Sequence, residues 1–261
     1  MKSNPYQNVS EHVREVVRGL MHGADDYHRS HKARLARTVD LIYRAKPQGK
    51  LLEIGTSGLI PVALSQLCPD LEVHVTNFDK SRPLVAPIDL TINAQTVTVT
   101  AAAVDLEYDA LPFEDETYDH VICCEVLEHM EIDPMFMLGE VNRVSKVGAS
   151  LLLTTPNVVS SRGLAKMLEG VEPYFFMHYH KSREYHRHNY EYSARSLYRL
   201  LAAAGYIGDV WTEDLFEDGM PDVVEKLHAA GMYVMNVGDN AIAQMTKVSG
   251  VIERHPVGIY V

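Results

Sequence analysis

Apolar residues recur at three- and four-residue spacing in "SEHVREVVRGLMHG" and "SHKARLARTVDLIYRA", which predicts two helices ahead of the main core, the first with Ser10 as its N-cap. The period then changes. "GKLLEIG" is a short apolar run ending in glycine, "PVALSQLCP" is helical, "LEVHVTNFD" is strand-like and ends in an acid, and "TVTVTAAAVD" alternates β-branched residues before another acid. "YDHVICC" predicts a buried strand, "PMFMLGEVNRVSK" an amphipathic helix, and "ASLLLTTPN" a strand stopped by Pro156. Strands that alternate with helices imply a parallel sheet covered on both faces, so the expected fold is α/β, doubly wound and Rossmann-like.

Residues 157–192 break this rhythm with aromatic, histidine and charged residues, and they predict an insertion or substrate lid. After it, "SARSLYRLLAAAGY" predicts a helix with Gly205 at its C-terminal cap. "MYVMNVGD" and "AIAQMTKV" predict a terminal antiparallel hairpin around "GDN". No internal repeat or low-complexity linker interrupts the chain. The expectation is one domain over 1–261: N-terminal helices (1–47), a cofactor-binding core (48–156), the lid (157–192), and the C-terminal part of the sheet (193–261).

Composition narrows the class. The 261 residues are 46% apolar and 23% charged, which is ordinary for a globular protein. The N-terminal stretch is polar and no apolar run approaches the ~20 residues that span a bilayer, so the default expectation is a cytoplasmic protein. Cys68, Cys123 and Cys124 have no disulfide or zinc spacing and are expected to act as packing residues. A formal charge of −11 repels phosphate backbones and argues against a broad nucleic-acid surface, leaving small or neutral acceptors as the better match.

Candidate chemistry sits at strand ends, where ligands bind in such sheets. "EIGTSG" offers Glu53 as an acceptor, with Gly55 and Gly58 allowing close backbone approach. Asp79 follows Gly58 by twenty-one residues, about the separation at which an acid reaches a ribose diol. Asp105 closes a later strand, as an acceptor for an amino group or a solvated turn acid. In "EVLEH", Glu125, Glu128 and His129 lie at i, i+3 and i+4, which on a helix is one face. Helix capping is the competing role for Glu128 and His129. His178, His180, His186 and His188 fall within eleven positions, as metal ligands, a catalytic base or a solvated cluster.

The order "LLEIGTSG", "VTNFD", "VDLEYDALPFEDETYDHVICCEVLEHM", "EVNRVSKVGASLLLTTPN" resembles the class I S-adenosylmethionine-dependent methyltransferases over residues 48–247. The resemblance implies a seven-stranded, mostly parallel sheet with a C-terminal antiparallel hairpin, and S-adenosylmethionine as cofactor. It assigns cofactor binding to Glu53, Gly55, Thr56, Ser57, Gly58, Asp79, Asp105 and Leu106. Ser57 and Leu59 stand where the family has glycines. "EVLEH", with His188 fifty-nine positions after His129 in "HRHNYEYS", is similar to the small-RNA 3′-terminal 2′-O-methyltransferases. That similarity implies Glu125, Glu128, His129 and His188 as ligands of a divalent ion (Mn, Fe, Co or Mg), with His186 as a neighbour. Without a metal, His129 or His188 is the expected catalytic base. "TTPN", "HNYEYS", "AAGY" and "GDNAIAQMTK" further resemble bacterial methyltransferases associated with glycans. The expected activity is therefore O-methylation of a sugar, glycan or glycosylated small molecule. The rivals are RNA 3′-terminal ribose methylation and a non-catalytic cofactor-binding scaffold.

Overall fold

The computed structural model describes residues 6, 8–79, 81–175 and 187–260. Three helices come first: α1 (Glu11–Met21), α2 (Asp26–Ser30) and α3 (Lys32–Arg44). Strands and helices then alternate through β1 (Lys50–Ile54), α4 (Leu59–Leu67), β2 (Glu72–Asn77), β3 (Val85–Ile92), β4 (Gln95–Ala103) and β5 (Tyr118–Cys124). A 3₁₀ turn at Leu127–His129 precedes α5 (Pro134–Val144), β6 (Ser145–Pro156), α6 (Ser161–Leu168), α7 (Ala194–Ala203), β7 (Tyr206–Glu213), α8 (Pro221–Ala229) and β8 (Asn240–Lys247). The hydrogen-bonded strand order is β3-β4-β2-β1-β5-β6-β8-β7. β1 pairs β2, and β2 pairs β4, in parallel, whereas β3–β4 and β7–β8 are antiparallel. The doubly wound α/β expectation holds.

The chain groups into two compact units, Met1–Ile122 with Arg143–Ser150, and Cys123–Asn142 with Leu151–Val261. In the first, α1, α3 and α4 pack on one another, and Leu51, Leu52, Ile54, Leu59 and Leu64 are fully buried. In the second, α7 lies against β7, and Leu127, Leu138, Val141, Leu197, Leu200 and Ile242 form the interior. Cys123 is buried there, which pushes its thiol well above its ordinary value, as suits a packing residue. No helix among the described residues is long and apolar enough to cross a membrane.

Three details differ from expectation. The sheet has eight strands rather than seven, because β3 forms an edge hairpin with β4 through Asn93 and Ala94, both in the left-handed region. The reversed C-terminal pair exists, but its outer strand is β7, "YIGDVWTE", and not "MYVMNVGD". Tyr233 and Met235 of that stretch are exposed, so their alternation faces no sheet. Finally, "EVLEH" is not a helix beginning at Glu125: that residue has φ +56° and only Leu127–His129 turn, as 3₁₀. Gly205, at φ +92°, follows the C-cap of α7 as predicted.

Candidate active site

In the first unit, β1 delivers Glu53 to a glycine turn. Gly55 and Gly58 have φ of +70° and +87°, a region that side-chain-bearing residues rarely adopt. Gly55 N–H donates to Thr76 Oγ1 (2.9 Å), Thr56 N–H to the Thr76 carbonyl (3.1 Å), and Gly58 N–H to Thr56 Oγ1 (3.0 Å). Of the two departures from the glycine pattern, Leu59 has a structural reason, being fully buried as the first residue of α4. At Ser57 it is the backbone carbonyl that lies 3.1 Å from His28 Nε2, a contact that does not depend on the side chain. Glu53 is 2% exposed with Oε2 buried and unsatisfied. Burial pushes its carboxyl up to about 7, against the lowering effects of a Thr56 hydrogen bond and the Arg34 charge. A buried carboxylate with one unsatisfied oxygen is complementary to an ammonium-bearing ligand, and the methionine portion of S-adenosylmethionine carries one.

Asp79, two residues past β2, is exposed; its Oδ1 accepts from Ser81 N–H (3.1 Å) and Ser81 Oγ (2.5 Å), its Oδ2 from Arg82 Nε (2.8 Å). Those contacts, led by the Ser81 hydroxyl, hold it below the usual carboxylate range. It is a fixed anionic acceptor, suited to a diol. Asp105, two residues past β4, is buried, and its Oδ1 accepts from Glu107 N–H (3.1 Å) while Asp109 caps its own N–H (2.8 Å). Leu106 beside it is half-buried.

The second unit holds the other group. Ligand atoms of Glu128, His129 and His188 lie within 4.8 Å of one another. Glu128 is 1% exposed; Thr155 Oγ1 donates to its Oε2 (2.9 Å), and its Oε1 is 3.9 Å from His129 Nε2. His129 Nδ1 is 3.0 Å from the Arg187 carbonyl, which can only accept, so Nδ1 carries a proton and Nε2 is the nitrogen on the Glu128 side. The two imidazoles meet edge to face at 5.1 Å. The stretch that carries His188 is tied back to the same turn. Asn189 N–H donates to the Glu128 carbonyl (2.7 Å), and Asn189 Nδ2 to the His129 carbonyl (2.9 Å).

Glu125 is outside this group. Its left-handed backbone breaks the turn, and its Oε1 accepts from Thr154 Oγ1 (2.7 Å) and Asn240 Nδ2 (2.9 Å). Four expected ligands thus become three gathered ones. His178, His180 and His186 lie outside the described residues. The reading from sequence missed Glu191, whose signal was its i, i+3 spacing from His188, and Arg34 and His28, both buried on helices beside the glycine turn. Two imidazoles and a carboxylate make a donor set that fits Mn²⁺, Fe²⁺ or Co²⁺ better than Mg²⁺, with coordination positions open to acceptor oxygens.

Comparison with known proteins bears on the family and the fold. The family described as "Methyltransferase domain" matches residues 27–207. The chain is similar in fold to a Thermotoga maritima S-adenosylmethionine-dependent methyltransferase described as a possible histamine N-methyltransferase, at 16% identity and TM-score 0.54, covering 89% of this chain and 99% of that one. It is similar to the putative methyltransferase in the complex with the Haloferax volcanii Trm112 methyltransferase activator, at 16% identity and TM-score 0.54, covering 92% and 98%. The small RNA methyltransferase HEN1 also aligns, at 15% identity and TM-score 0.52, over 85% of this chain but 26% of that one. No curated protein matches the chain.

Proposed function

Since the chain belongs to the methyltransferase domain family and is an S-adenosylmethionine-dependent methyltransferase, we propose that its acceptor is a hydroxyl of a sugar, glycan or glycosylated small molecule. The observation that carries this reading is the Glu128–His129–His188 group, whose ligand atoms gather within 4.8 Å. A carboxylate and two imidazoles with open positions suit a vicinal diol, the recurring unit of sugars.

On this reading the first unit holds the cofactor. Glu53 accepts from the methionine ammonium, Gly55, Thr56, Ser57 and Gly58 give backbone access, Asp79 binds the ribose, and Asp105 with Leu106 flanks the adenine. The bound cofactor supplies a methyl already activated by sulfonium sulfur. What remains for the protein is alignment and removal of one proton. Glu128, His129 and His188 would hold a divalent ion, whose charge favours the ionised hydroxyl. His129 and His188 can also take that proton themselves, because neutral imidazole is a competent base near pH 7. A second reading, the 3′-terminal ribose of RNA, is motivated by the same "EVLEH" and "HRHNYEYS" segments, and that ribose also presents a diol. The charge of −11 favours the uncharged acceptor.

The test is methyl transfer from labelled cofactor to a panel of glycosides and RNA 3′ ends, with and without chelator. Transfer to glycoside hydroxyls, lost on chelation and restored by Mn²⁺, Fe²⁺ or Co²⁺, is the expected result. Transfer confined to RNA ends would replace the acceptor, and full activity after exhaustive chelation would leave histidine as the base without a metal.

A further inference from the structure

His188 can offer either ring nitrogen, and the group it joins works only if the right one faces Glu128 and His129. We propose that Glu191 is the positioning residue for His188: its carboxylate holds the imidazole proton on Nδ1, so that Nε2 carries the lone pair presented to the group. The inference rests on the reading of Glu128, His129 and His188 as the acceptor-side site.

Four observations converge. His188 Nδ1 lies 2.7 Å from Glu191 Oε1, which puts a carboxylate oxygen in acceptor position for an Nδ1–H. The Glu191 side chain is 0% exposed and that of His188 13%, so water does not compete for the contact. The carboxylate is itself fixed, because Phe175 N–H donates to both its oxygens, at 2.9 and 3.0 Å. Its backbone is fixed as well: the next residue, Tyr192, bridges Asn157 just past β6 and accepts from Val158 N–H (3.1 Å), while Asn189 is bonded to the Glu128 and His129 carbonyls.

The choice of a carboxylate is itself informative. A neutral acceptor would satisfy Phe175 N–H at a smaller desolvation cost than a buried charge. A buried carboxylate is explained when its partner is an imidazole that must be held in one tautomer and made a stronger donor through its far nitrogen, as carboxylates behind metal-binding histidines do. His129 shows the contrast. Its Nδ1 is held by a carbonyl, so the two imidazoles are oriented alike by acceptors of different strength.

Ring ¹⁵N–¹H correlation spectra at about pH 8 are expected to place the His188 proton on Nδ1, whereas a solvated neutral imidazole prefers Nε2. Glu191→Gln keeps an acceptor for Phe175 but can turn an amide N–H toward Nδ1, so it should move the proton to Nε2 and weaken Mn²⁺ binding, followed by calorimetry, by about 10–100-fold. Affinity for S-adenosylhomocysteine, read on the same protein, should stay within about twofold and so certify the fold. A wild-type His188 protonated on Nε2 would overturn the proposal without any substitution, as would Glu191→Gln with wild-type Mn²⁺ affinity. Should the wild type bind no Mn²⁺ while His188 carries its proton on Nδ1, the metal half of the functional reading falls and the role of Glu191 stands.

Discussion

At the scale of single residues, Glu53 and Glu125 show how a carboxylate's surroundings decide its role. Both stand next to a strand end and both read as acceptors in the sequence. Glu125 accepts from Thr154 and Asn240 and adopts a left-handed backbone, a conformation that costs a non-glycine residue ~1–3 kcal/mol. Glu53 instead keeps a buried, unsatisfied oxygen, with its carboxyl pushed up by burial. That shift has a definite sign. Folding raises the carboxyl from 4.5 to about 7, so between those values the folded chain binds more protons than the unfolded one, and stability falls as pH rises through the window. The full separation corresponds to roughly 3 kcal/mol. Glu53→Gln removes the buried charge, so urea unfolding of the ligand-free protein should find it more stable than wild type by ~2–3 kcal/mol at pH 8 and similar at pH 4. The same substitution should weaken S-adenosylhomocysteine binding by about tenfold or more. A Glu53→Gln protein less stable than wild type at pH 8 would show that the charged carboxylate is satisfied after all.

At the scale of elements, legibility followed the clarity of each segment's period. β1, β5 and β6 each contain a short apolar stretch buried on both faces (51–52, 121–123 and 151–153), and α1, α3 and α7 carry long amphipathic repeats, so all six could be read directly. β3 could not, because as an edge strand it alternates exposed with merely half-buried residues and includes Pro87. β7 was hidden by Gly208, Asp209 and Glu213, while "MYVMNVGD" imitated a strand without a partner. α2 has five residues, too few for a hydrophobic repeat, and its one buried side chain is His28. That residue matters beyond its length. His28 lies between Asp25 Oδ1 (2.6 Å), at the helix N-cap, and the Ser57 carbonyl (3.1 Å), so α2 pins the glycine turn from outside the sheet. Loss of one such hydrogen bond is worth ~1 kcal/mol. His28→Ala should therefore raise the Kd for S-adenosylhomocysteine by roughly five- to tenfold while leaving Mn²⁺ affinity as it was, since the Glu128 group belongs to the other unit. Equal loss of both affinities would mean that the substitution unfolds the chain rather than loosening the turn. The three-membered group itself was half legible. The residue types and their order are in the sequence, but the left-handed backbone of Glu125 and its contacts with Thr154 and Asn240 are not reported by any periodicity.

At the scale of the whole molecule, the feature that bears most on the acceptor is net charge. It is fully legible, since counting residues gives −11 without any structure. A chain of that charge repels an oligonucleotide at long range and is indifferent to a neutral glycoside, and the repulsion is screened over ~10 Å at 0.1 M salt. Salt dependence therefore separates the two candidate acceptors by sign. Between about 50 and 300 mM salt, KM for a neutral glycoside should stay nearly constant, whereas KM for an RNA 3′ end should fall as screening relieves repulsion. That fall is opposite to the loss of affinity with salt seen when lysines and arginines neutralise phosphates. Steady-state kinetics on one preparation across the salt series decides the matter. If the better acceptor is RNA and its KM climbs steeply with salt, a locally basic surface outweighs the global charge, and the argument from −11 to an uncharged sugar fails at its first step.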